Sequence, residues 1–194
     1  GLYKEADYIA VKVPVFSFAK LHDVDTALGP EMKSTGETLG IAKTFEDAVY
    51  KGLIGAGYDL KTKKGGGVLI TVRDTDKQEI LYVAEKFERL GFTIYATSGT
   101  ASILNKNMIA ANVVRRVSEA EPNVMTLLDE GKIDYVISTS SKGRLPALDS
   151  VKIRRKAVER AIPCLTSMDT ANALIDSLNS RYSQHTMELV NINE

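Results

Sequence analysis

The chain has 194 residues, and its 25 Lys and Arg balance 25 Asp and Glu to a formal charge of zero. That balance argues against a nucleic-acid binder or a membrane-surface module, which would carry a basic excess. One cysteine, Cys164, excludes an internal disulfide and points to a reducing, cytoplasmic setting. No apolar run approaches the ~20 residues of a spanning helix. The opening GLYKEADYIAVKV has neither a signal peptide's regions nor an initiator Met, so a fragment of a longer protein is expected.

Residues 8–18 alternate and are rich in β-branched and aromatic types, which predicts a strand, with Pro14 marking an edge or bulge. Residues 22–43 lack a clear period, hold Gly29-Pro30, Gly36 and Gly40, and are expected as an ordered loop. Thr44 is a good N-cap for a helix ending at Gly55-Ala56-Gly57. A basic tract and three glycines at 61–67 then suggest a linker.

Beyond the glycines the pattern is strand–helix repetition. Val68–Val72 is an apolar run of the buried parallel type. Asp76 is expected to cap a helix whose Ile80, Val83, Ala84, Phe87 and Leu90 share one face, with Gly91 just past its end. Strands follow at 92–96, 113–117, 133–137 and 162–165. The intervening helices fall at 99–105, from Pro122 on, and at 150–160. A last helix covers 169–178, and 187–192 suggests a final strand. Strands alternating with helices imply a parallel sheet with right-handed crossovers and helices on both faces.

Ligands bind such sheets beyond the carboxyl ends of the strands. That rule selects residues 73–77, 97–100, 116–119 and 138–144. At Thr97-Ser98-Gly99-Thr100 a helix begins. Its free N–H groups, a glycine permitting close approach, and the cations Lys77 and Arg116 describe a phosphate site. The plainer alternative is that Thr97 or Ser98 only caps the helix. The P-loop pattern and the dinucleotide GxGxxG pattern are both absent. His22 and His185 are the only histidines and lie far apart, which disfavours a histidine metal site. Cys164 reads as an inert core residue, and the basic run Lys152, Arg154, Arg155, Lys156, Arg160 as a solvated face or partner contact. Asp149 is a lone carboxylate near the cleft, without a second acid to make an acid–base pair.

Several stretches carry a resemblance. LGPEMKSTGE at 28–37 closely resembles the segment by which carbamoyl-phosphate synthase large subunits leave their second ATP-grasp unit. TVRDTDK at 71–77, ATSGTA at 96–101 and IRR at 153–155 are similar to that family's C-terminal methylglyoxal-synthase-like domain, and the match runs in order over 8–180. The resemblance implies an α/β fold: a methylglyoxal-synthase-like three-layer sandwich over 68–194 with a five-stranded, mainly parallel sheet. It also implies a linker at 61–67 and an incomplete ATP-grasp tail over 1–60.

The family's complete enzyme is an ATP-dependent carbon–nitrogen ligase of pyrimidine and arginine synthesis. It makes carbamoyl phosphate from bicarbonate, ammonia from a glutaminase small subunit, and two ATP, with Mg or Mn. Its metal- and ATP-binding carboxylates lie upstream of these residues, so here no catalytic residue, metal or cofactor is expected. The C-terminal domain of the family binds uridine monophosphate, inosine monophosphate or phosphoribosyl pyrophosphate. By position, Lys77, Thr97, Ser98, Gly99 and Thr100 would hold the effector phosphate. Thr71, Arg116, Ser138, Ser140, Lys142 and Arg144 would meet ribose, base or pyrophosphate. Arg116 stands where the family has lysine, and Ser138 and Ser140 where one branch has asparagine and threonine. The run from Lys142 to Pro146 looks like the pyrimidine branch that responds to phosphoribosyl pyrophosphate. Val13 and Leu165 replace the carboxylates of the ornithine-activated branch, so no ornithine response is expected.

The implied partners are the ATP-grasp units, the glutaminase subunit, a nucleotide effector and further copies through the allosteric domain, with neither nucleic acid nor membrane. Two other readings stand beside this one. A methylglyoxal synthase acting on dihydroxyacetone phosphate would need an aspartate base where this chain has Ser138–Ser141. A structural oligomerisation domain would leave the cleft unused.

Overall fold

The computed structural model describes residues 4–16, 32–60, 65–139, 144–180 and 188–192. These fall into two compact units. One holds 4–16, 32–60 and the described positions from 173 on; the other holds 65–139 and 144–172. Among the described residues no helix is long and apolar enough to cross a membrane.

In the first unit, β1 (Ile9–Val15) pairs antiparallel with β2 (Gly36–Ala42), placing Ile9 opposite Ala42. α1 (Phe45–Gly55) starts where expected, with the Thr44 hydroxyl accepting from the Asp47 N–H at 3.3 Å. β2 overturns the loop expected over 22–43 at residues 36–42, while 22–31 lie outside the described residues. Its two glycines hid the alternation, yet Gly40 is a packing residue. A Cβ there would lie 1.9 Å from the Ala48 carbonyl oxygen, so only glycine lets α1 cross the strand this closely. Thr38 adds a tie, its hydroxyl donating to the Gly52 carbonyl at 2.9 Å.

The second unit is built on five parallel strands in the order β5-β4-β3-β6-β7. They are β3 (Gly67–Thr71), β4 (Thr93–Thr97), β5 (Ala111–Val114), β6 (Tyr135–Ser138) and β7 (Cys164–Leu165). The helices are α2 (Ile80–Arg89), α3 (Ser98–Lys106), α4 (Val124–Asp129), α5 (Arg144–Glu159) and α6 (Met168–Asn179), the last running on into the first unit's residues. The strand period of two splits the sheet's side chains between its faces. Leu69 and Val136 join Val124, Leu128, Ile153 and Ala157 in a core that seats α4 and α5 on one face. On the opposite face α2 brings Phe87, whose ring meets Tyr135 at 5.6 Å and Phe92 edge-on at 5.3 Å. Helices on both faces of a parallel sheet make the expected three layers.

Several local expectations are corrected. Asp76 does not cap α2; Glu79 occupies that position without a side-chain bond, and Asp76 is buried in a 3₁₀ turn, Asp74–Asp76. Pro122 does not open α4. Asn123 caps it in a capping box with Thr126, and the helix begins at Val124. β5 starts and ends earlier than 113–117, and α5 starts six residues earlier than expected, at Arg144. The described residues 188–192 carry no strand. Gly67, at the end of the expected linker, is the first residue of β3. At the sheet's far edge Asn105 is bonded twice to Ala111, accepting from its N–H and donating to its carbonyl, both at 3.0 Å.

Candidate functional site

β3 lies at the middle of the sheet. The chain leaves it toward β4 on one side and later returns to β6 on the other. That reversal opens a crevice beyond the strands' carboxyl ends. A cavity of about 290 Å³ occupies it. The period of two explains its lining: Thr71, Thr97 and Ser138 each follow an α4/α5-facing position, Leu69, Tyr95 and Val136, by two residues. The apolar stripe of that face therefore ends in three hydroxyls, which floor the cavity.

Thr97 is the N-cap of α3, yet its side chain makes no capping bond. The buried hydroxyl instead points to Thr71, donating across the strands at 3.5 Å. The plain capping alternative therefore fails at this residue. Gly99 and the buried Thr100 bring the first turn of α3 to the wall. Lys77 comes from the turn after β3. Its Nζ would be 3.2 Å from a Cβ built on Gly99, so the ammonium lies over the helix start. The same ammonium pairs with Asp74 Oδ1 at 2.6 Å. That hydrogen bond and charge, with a smaller contribution from Arg116, hold the Asp74 carboxyl below the usual range.

Ser138 Oγ is buried on this lining and has no hydrogen-bond partner among the described residues. A buried hydroxyl left unsatisfied costs about 1–3 kcal/mol. Arg116, Val117 and Ser118 close the cavity after β5, and Asp149, Ser150 and Ile153 close it from α5. The Ser118 hydroxyl and Asp149 carboxylate stand 3.5 Å apart.

A second polar network fixes the wall and reaches the cavity lining at Thr139. Arg73 Nε donates to both Asp76 oxygens at 2.9 Å, and the Thr75 hydroxyl adds a bond at 2.9 Å. Thr139, from the end of β6, accepts from the Arg73 N–H at 3.0 Å. Burial pushes the Asp76 carboxyl up, but bonds from Arg73, Thr139 and Thr75 and the Arg73 charge leave it below its ordinary value. The turn that carries Asp74 and Lys77 is thereby tied to β6.

Of the residues named from sequence, Lys77, Thr97, Gly99, Thr100, Thr71, Arg116 and Ser138 share this cavity. Ser98 is exposed and not on its lining. Ser140, Lys142, His22 and His185 lie outside the described residues, and Arg144 is described only by its backbone, as the first residue of α5. The stretches selected from sequence contain Asp74, Ser118 and Thr139, though no role was assigned to them, and Ser150 lies outside those stretches. The signal for Asp74 was its place three residues before Lys77, the spacing of a side-chain pair on one turn. Among the described residues no three His, Cys, Asp or Glu side chains form a group able to hold a metal. Burial pushes the Cys164 thiol up to about 12, which keeps it un-ionised and a poor nucleophile near neutral pH. The basic helix is engaged within the chain: Lys156 pairs with Asp129 at 2.9 Å, Arg160 bonds the same carboxylate, and Arg155 pairs with Glu159 at 3.6 Å.

The MGS-like domain family model matches residues 79–166, the stretch that holds β4 to β7 of this sheet. The chain carries such a domain. Over 180 residues it is 49% identical to a carbamoyl phosphate synthase large chain of Lachnoclostridium phytofermentans, an alignment covering 93% of this chain. The chain spans 17% of that relative's length.

Proposed function

We propose that this chain is the effector-binding, regulatory part of a carbamoyl-phosphate synthase large subunit, and that its cavity takes the phosphate of a nucleotide effector. The carrying observation is the buried, unpartnered Ser138 hydroxyl on a cavity whose opposite wall sets Lys77 over the start of α3. A helix start and an ammonium favour an anion. The orphan hydroxyl calls for a polar ligand atom, as a ribose or base would supply. The relationship to a large chain over 93% of these residues supports the parent enzyme.

In this reading residues 1–60 continue an ATP-grasp unit. ATP, Mg or Mn and the ammonia-delivering glutaminase subunit belong to the rest of the assembly, the setting is cytoplasmic, and these residues do not catalyse. Effector binding at the carboxyl ends of β4, β5 and β6 shifts the synthetase between states, a coupling of about 1–3 kcal/mol. The candidates are uridine monophosphate, inosine monophosphate and phosphoribosyl pyrophosphate. A thermal-shift screen ranks them, since a ligand at 100 times its Kd adds about 2.7 kcal/mol. Lys77→Ala is expected to weaken the ranked effector at least tenfold by calorimetry, since a hydrogen bond to a charged group is worth about 1.5–3 kcal/mol. Unregulated carbamoyl phosphate synthesis stays intact. Effector inhibition or activation unchanged in that variant refutes the site.

The lyase alternative gains one observation: two carboxylates, Asp74 and Asp149, line the cavity. Turnover of dihydroxyacetone phosphate to methylglyoxal by the purified protein would decide for it.

A further inference from the structure

We propose that Asp74 is a built-in competitor of the bound phosphate: its carboxylate occupies the Lys77 ammonium inside the cavity, and an arriving phosphate must displace it. The inference rests on the reading of this cavity as a phosphate site.

The two partners are unequally placed. Lys77 is 19% exposed at its side chain and is hemmed by Gly99, whereas the Asp74 side chain is 93% exposed while lining the same cavity. The ammonium is therefore the fixed partner, and the carboxylate is the one that can swing to solvent without losing hydration. Asp74 opens a 3₁₀ turn anchored by the buried Asp76 through its pair with the half-exposed Arg73, so the Asp74 side chain moves while the turn stays. Arg116 also acts on Asp74, so the carboxylate stands under the influence of both cavity cations. A phosphate beside Lys77 would meet a like charge there, and its affinity is set by the exchange of one anion for the other. Asp149 lines the same cavity, but its near neighbour is the Ser118 hydroxyl at 3.5 Å. It offers the comparison of equal charge without the lysine.

The test titrates inorganic phosphate calorimetrically into the intact protein and into Asp74→Asn, Asp74→Ala, Asp149→Asn and Lys77→Ala variants. Both Asp74 variants are expected to bind phosphate about three- to fivefold tighter, the upper end of what an exposed ion pair is worth. Asp149→Asn gives a smaller gain, and the Asp74 effect vanishes when combined with Lys77→Ala. Unchanged or weaker binding by both Asp74 variants, with binding still lost in Lys77→Ala, overturns the competitor role alone. A gain from Asp149→Asn as large as that from Asp74→Asn does the same. Phosphate binding that is absent in the parent protein, or indifferent to Lys77, overturns the site reading beneath it.

Discussion

Replacing Gly99 by alanine separates stability from binding at one atom. The new Cβ would stand 3.2 Å from Lys77 Nζ and 3.9 Å from its Cε, the only atoms of the described residues within 4 Å apart from its chain neighbours and its own helix backbone. The obstacle is the tip of a flexible side chain, so the backbone has no reason to shift. Alanine is favoured over glycine in a helix by about 0.8–1.0 kcal/mol in the interior, and it also narrows the unfolded ensemble. At the second residue of α3 roughly half that gain is expected, about 0.5 kcal/mol, which raises Tm by about 1–2 °C in a chain of this size. The methyl group meanwhile pushes the ammonium away from the helix start and caps the space a phosphate oxygen needs to reach the N–H groups. A loss of about 1.4 kcal/mol, tenfold in Kd, is expected for phosphate. Differential scanning fluorimetry and calorimetric titration read the two effects separately. Phosphate affinity unchanged beside a raised Tm would refute the helix start as the anion's seat. A Tm lowered by several degrees would refute the view that only the lysine tip feels the new atom.

Further outcomes follow from the packing and the charges. Phe87→Ala removes a fully buried ring that contacts Phe92 and Tyr135 and should cost about 3–5 kcal/mol in urea unfolding. Gly40→Ala drives a methyl into the backbone of α1. A loss of about 1–3 kcal/mol is expected, with hydrogen-exchange protection falling in β2 and α1 and unchanged in β3 to β6. Asp76 has a folded pKa below its ordinary value of 3.8, so its stabilisation is fully present above that value and is lost as pH falls through the lowered one. Asp76→Asn should therefore lower stability at pH 7 and flatten its acid limb below pH ~4. A variant that keeps the parent's acid limb in a pH series of unfolding curves would place the titration elsewhere.

The strand–helix alternation after residue 67 was legible because each element there has its own period: buried runs at 68–70 and 135–138, and a helical face through Ile80, Val83, Ala84 and Phe87. The cavity was legible for the same reason, since the rule of carboxyl ends needs only strand ends. What failed depended on tertiary contact. β2 was hidden because Gly40 answers to a helix backbone, not to a local turn. Asp76 looked like a cap because Asp before an apolar helix usually is one. Of its true partners, Arg73 lies three residues away on the same turn, and Thr139 reaches it only once β3 and β6 are neighbours. Asn123 outcompeted Pro122 because its side chain satisfies two amides, those of Met125 and Thr126. The orphaned hydroxyl of Ser138 is a property of burial, invisible in a run of four hydroxyl residues.

The amide of Asn105 gives the β5 margin a further property. An outermost strand is a template on which a foreign chain can extend the ladder. Here the first peptide of that strand is answered on both sides by a side chain of the same molecule. A newcomer would have to break two bonds, each worth about 1 kcal/mol net, before its first ladder rung forms. The β5 margin thus resists strand addition at its first residue, by a side chain of the helix that leads into it.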